Sequence, residues 1–93
     1  CAAGDAATCL GLAQAYFQGQ QVPHDMAKAL SSGERACTLG AAHGCMFLGA
    51  MHERGMGVAQ DAAKAETYFR RALTLAPHVP EVRAYVKQRG IGD

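Results

Sequence analysis

The chain has 93 residues and a formal net charge of +1, and although 49% of it is apolar it contains no tryptophan and only three tyrosines and three phenylalanines. That length gives one domain near the lower limit for a self-sufficient core, and a core so rich in alanine is thin, helical and served by covalent staples. Neither sign of charge clusters and no apolar run approaches the roughly 20 residues of a membrane span, which excludes a nucleic-acid stripe, an anionic-membrane patch and a spanning helix.

The sequence opens on Cys1 with no signal peptide and reads as a processed or excised piece of something longer. Over residues 5–18, Leu12, Ala13 and Tyr16 recur at helical spacing, and Gly19 supplies the left-handed residue that ends a helix. A loop containing Pro23 follows. Asp25 stands at an N-cap and opens a second helix through Lys28, Ala29 and Ala36 to about Leu39, with Gly40 ending it. The same plan then repeats, with helices expected over 41–54 and 61–75, until Pro77 stops the chain. Pro80 suits the first turn of a fifth helix over 80–89, closed by Gly90 and carrying Val82, Tyr85 and Val86 on one side. It reads as a cap on an open stack.

Sliding the chain along itself makes the repetition explicit. Cys1 falls on Cys37, Gly4 on Gly40, Cys9 on Cys45, Leu12 on Leu48, Gly19 on Gly55 and Asp25 on Asp61, without a gap. Ala27-Lys28-Ala29 meets Ala63-Lys64-Ala65, and Arg35-Ala36 meets Arg71-Ala72. The expected organisation is one domain: a first repeat over about 1–36, a second over about 37–75 and a capping helix over about 80–90.

The pattern Leu12-Ala13-x-x-Tyr16-x-x-Gly19-x-x-Val22-x-x-Asp25-x-x-Lys28-Ala29 resembles a Sel1-like repeat, as do Leu48-Gly49, Gly55-Met56-Gly57-Val58, Asp61, Lys64-Ala65 and Tyr68-Phe69. The added cysteines resemble its cysteine-rich Hcp-type branch. The resemblance spans about residues 1–75 and implies an all-α, TPR-like α/α solenoid of two hairpins plus the capping helix. It implies an adaptor or scaffold, with penicillin binding or weak β-lactamase activity known among cysteine-rich members. Two positions depart from the pattern. His52 replaces a tyrosine, and Ser32-Gly33 stand where the second copy has Tyr68-Phe69, so less aromatic area is expected in the first hairpin.

Four cysteines form two Cys-x7-Cys pairs. In a continuous helix that spacing would separate Cα atoms by about 12 Å, too far for a disulfide. Gly40 and Gly44 let the chain turn between Cys37 and Cys45, so the expected bridges are Cys1–Cys9 and Cys37–Cys45. Such bridges place the protein in the periplasm or outside the cell; buried, reduced thiols in a cytoplasmic protein are the alternative. A shared zinc site fits the spacing poorly.

His24, His43, His52 and His78 form no pair three or four residues apart on one helix. His52 beside Met51 and Met56 is a haem or copper pattern, though such methionines more often fill core gaps. Ser31 and Ser32 lack a Ser-x-x-Lys context and any base at fixed spacing, so β-lactam chemistry rests on the family likeness alone. Lys28 and Lys64 with Asp25 and Asp61 read as solvated stems and caps rather than a binding ladder.

Surface therefore carries the functional reading: a non-catalytic scaffold without cofactor, binding a protein or peptide partner. The family likeness places the first helix of each hairpin on a concave face. The candidate contact residues are Gln14, Phe17, Gln18, Ala50, Glu53 and Arg54, with Phe17 either an anchor or packed against the next helix. The alternatives are a β-lactam or peptidoglycan-directed protein and a haem or copper carrier.

Overall fold

The structure is a computed structural model that describes residues 5–19 and 22–90. Among these residues five helices follow one another and no strand occurs: α1 (Ala6–Gln18), α2 (Met26–Thr38), α3 (Ala42–Arg54), α4 (Ala62–Leu75) and α5 (Pro80–Lys87). α1 pairs with α2 and α3 with α4, α2 lies against α3, and α5 packs on α4 and α3. This is the all-α stack of two hairpins and a terminal helix that the sequence leads one to expect.

One aspartate per hairpin sets the geometry. The Asp25 carboxylate accepts from the Lys28 backbone N–H at 3.0 Å, and Asp61 accepts from Lys64 at 3.0 Å. Each satisfies an N–H that the first turn of a helix leaves open. The backbone N–H of the same residues reaches back across the loop, from Asp25 to Tyr16 O (3.0 Å) and from Asp61 to His52 O (2.8 Å). A single residue thus closes the loop and starts the next helix, identically in both copies. α5 ends at Lys87, earlier than the periodicity suggests, because Arg89 and Gly90 tighten into i→i−3 hydrogen bonds to Val86 and Lys87.

The junction between hairpins depends on two glycines with different tasks. Gly40 has φ +98°, and the Gly40 N–H to Cys37 O and Ala41 N–H to Ala36 O bonds close α2 in a Schellman motif. Gly44 does not turn the chain, contrary to the expectation above. It lies inside α3, where a Cβ would sit 2.8 Å from Ala36 Cβ and 2.9 Å from Cys37 N. Its missing side chain lets α3 press against the end of α2. Cys37 and Cys45, both buried, are joined by a disulfide there with Cα atoms 4.7 Å apart. The expected Cys1–Cys9 bridge lies outside the described residues; Cys9 itself is fully buried in α1.

The core exchanges volume between repeats. Phe69 is buried with its ring against Gly49, whose Cβ would fall 2.7 Å from Phe69 Cε1. The equivalent pair in the first hairpin is Ala13 and Gly33, which has no ring of its own. Phe47 of the second hairpin occupies that space, its ring 2.8 Å from where a Gly33 Cβ would sit. The aromatic area missing from the first hairpin is supplied by its neighbour. Val82 and Val86 of α5 complete the cluster around Phe69, Leu48 and Ala72.

The Cys37–Cys45 bridge closes a very short loop and restricts the unfolded chain. Replacing both cysteines by alanine is expected to lower stability by about 2–3 kcal/mol in urea denaturation. An unchanged midpoint would show that helix packing alone holds the junction.

Candidate interaction groove

Between α1 and α3 runs an open groove of about 270 Å³, closed at one end by α5. Gln14 and Phe17 on α1 and Ala50 and Arg54 on α3 line it together. Gln18 is exposed at the end of α1 outside this groove, and Glu53 lies in a separate depression beside Phe69 and Arg89. Phe17 packs on the neighbouring helix, edge-on to Phe47 with centroids 5.4 Å apart at 83°, and also lines the groove.

Several lining residues are absent from the sequence-based set. Phe47 and Met56, both half-buried, supply apolar lining, and Met46 and Met51 lie buried beneath them. Their cue was present in the sequence, three methionines within eleven positions, but methionine spacing alone does not separate core filler from groove lining. Tyr85 and His43 form the far rim, where His43 Nε2 and Glu81 Oε1 stand 3.0 Å apart and link α3 to α5. No local pattern reveals Tyr85, because it arrives from another helix.

Glu53 is engaged within the chain. Arg89 donates from Nε and Nη2 to the two Glu53 carboxylate oxygens at 2.9 and 3.0 Å, and from Nη1 to Tyr85 O at 3.0 Å. Its guanidinium lies 3.9 Å from the Tyr85 ring centroid and 4.9 Å from that of Phe69. The hydrogen bonds to Glu53 raise the Arg89 pKa above its usual value. This forked pair fixes α5, and with it the Tyr85 end of the groove. Arg54 has no hydrogen bond or ion pair among the described residues and leaves a positive charge at the groove edge.

The structure separates the residues of the haem or copper pattern. Met51 and Met56 line the groove, whereas His52 turns into a different cleft beside Tyr68, with ring centroids 5.3 Å apart. Among the described residues no three His, Cys, Asp or Glu side chains gather as metal ligands. Ser31 is exposed and Ser32 half-buried on α2; among the described residues neither hydrogen-bonds to a titratable side chain. Among those residues, too, no helix is long and apolar enough to cross a membrane.

The family model described as Sel1 repeat matches residues 6–40 and 42–76. The fold is similar to the crystal structure of a Sel1 repeat protein from Oxalobacter formigenes, with TM-score 0.80 and 19% identity over 91% of this chain and 34% of that one. It is also similar to the Helicobacter pylori cysteine rich protein B, with TM-score 0.76 and 28% identity over 85% of this chain and 58% of that one. The chain thus spans about a third and somewhat over half of these two structures. No curated protein matches.

Replacing Arg89 by alanine is expected to cost about 1–2 kcal/mol, since the pair is forked but only partly shielded. Amide hydrogen exchange should quicken in α5 before α1–α4. Uniform exchange across all five helices would show that the pair does not hold α5.

Proposed function

Since the chain belongs to the Sel1 repeat family, we propose that it is a non-catalytic scaffold whose α1–α3 groove binds a peptide or protein segment. One observation carries this reading: the half-buried Phe17, Phe47 and Met56 line the groove over the buried Met46 and Met51, with Gln14 and Arg54 beside them. The two rings and the Met56 thioether offer contact area that adapts to a partner's side chains. The helices beneath them are already ordered, so a partner loses little to their rearrangement. Gln18 and Glu53 remain candidate contacts on flanking surface. No cofactor and no nucleic acid enter this function.

The Cys37–Cys45 bridge supports an oxidising location, periplasmic or extracellular, where such bonds persist. The two repeats and the C-terminal helix are proposed to act as one domain, with the boundaries given above, because α5 shares the core of the second hairpin.

Peptide display against the oxidised chain is the direct test. Selected peptides should carry at least one large apolar side chain, and Ala50→Arg, which plants a charged side chain in the groove, should weaken them by about tenfold or more. Circular dichroism would check that the variant folds. Equal binding to Ala50→Arg and the parent chain would place the contact surface elsewhere.

A further inference from the structure

A second cleft, of about 530 Å³, opens between α2 and α4 and shares no lining residue with the α1–α3 groove. His52 is its buried polar member, 7% exposed. Its Nδ1 lies 2.9 Å from Leu48 O. A carbonyl only accepts, so Nδ1 is the donor, and in that tautomer Nε2 is the acceptor. Around His52 stand Glu34 and Leu30 from α2, Val58 from the loop, and Lys64, Tyr68 and Arg71 from α4.

Comparison of the two hairpins explains why this cleft carries unspent charge. In the first, the Lys28 Nζ lies over the Tyr16 ring, 5.5 Å from its centroid. In the second, His52 stands in place of the tyrosine, and that ring is tied to Leu48 O and tilted against Tyr68. Lys64, the counterpart of Lys28, has no such ring, and neither Lys64 nor Arg71 has an ion pair among the described residues. Two cations therefore face one carboxylate, Glu34. Burial, and next the charge of Glu34, push the Tyr68 hydroxyl pKa up, so it stays a protonated donor.

From this arrangement we infer that the α2–α4 cleft binds a small organic monoanion: a carboxylate on an apolar body, with a hydrogen-bond donor beside it. Arg71 and Lys64 hold the carboxylate, with Tyr68 as a further donor. Nε2 of His52 accepts from the neighbouring donor group. Leu30, Val58 and the Tyr68 ring take the apolar body. The surplus of a single positive charge matches a carboxylate better than a doubly charged phosphate.

Titration of the isotope-labelled, oxidised chain with mandelate, followed by proton–nitrogen correlation spectra at constant ionic strength, tests this site. Saturable shifts are expected at the amides of His52, Lys64, Tyr68 and Arg71, with affinity on the order of millimolar. Phenylacetate, which lacks the hydroxyl, phenylethanediol, which lacks the carboxylate, and inorganic phosphate should each bind several-fold more weakly. Arg71→Gln, at an exposed position, should weaken mandelate by about tenfold. His52→Tyr, which restores the first-hairpin residue, should do likewise; Lys64→Gln serves if that variant does not fold. Absence of saturable shifts at these amides, equal effects from phosphate, or unchanged binding by Arg71→Gln would overturn the assignment.

Discussion

The rest of the molecule depends on how closely α3 approaches the C-terminal end of α2. A side chain at position 44 would collide with Ala36 and with the backbone of Cys37, so glycine there fixes the spacing of the hairpins. Only at that spacing do Cys37 and Cys45 meet, with Cα atoms 4.7 Å apart. The bridge then makes the approach permanent under oxidising conditions. In a chain whose core is largely alanine, such a fastener replaces area that larger side chains would otherwise supply. The groove inherits this geometry, since one wall belongs to each hairpin.

Volume is conserved across the stack rather than within each repeat. Gly33 and Phe47 complement each other between hairpins, as Gly49 and Phe69 do within the second. Phe47 is consequently shared: one edge fills the first hairpin, and its ring meets Phe17 at the groove. Packing and recognition draw on the same side chain. A partner seated on Phe17 and Phe47 would therefore press directly on the contact that joins the repeats.

Much of this was legible in the chain itself, for identifiable reasons. Aspartates before helices and glycines after them act through bonds to their own backbone, so their sequence positions locate the element ends. The repeat made each of these signals appear twice. Gly44 was misread as a turn because close approach to Ala36 and hinge freedom leave the same mark in a sequence. The Glu53–Arg89 pair and the Tyr85 rim depend on where α5 lands, which no local pattern encodes. Gln14, Phe17, Ala50 and Arg54 could be grouped from the family likeness and helix periodicity, but the lining by Phe47 and Met56 needed the angle between α1 and α3.

Divergence between the copies has produced two unlike faces from one template. At the groove the second copy is bulkier: Phe47 stands where the first copy has Gly11. At the opposite cleft His52 stands where the first copy has Tyr16, and Lys64 lacks the ring contact that Lys28 makes. Lys28 rests on an aromatic face, a contact that Lys64 does not make among the described residues. Asp25 with Asp61 and Gly19 with Gly55 make the same backbone bonds and turns in both copies despite these differences. Structural duties rest on backbone hydrogen bonds common to both copies, so the side chains at positions 47 and 52 can differ from their counterparts without disturbing the hairpin geometry.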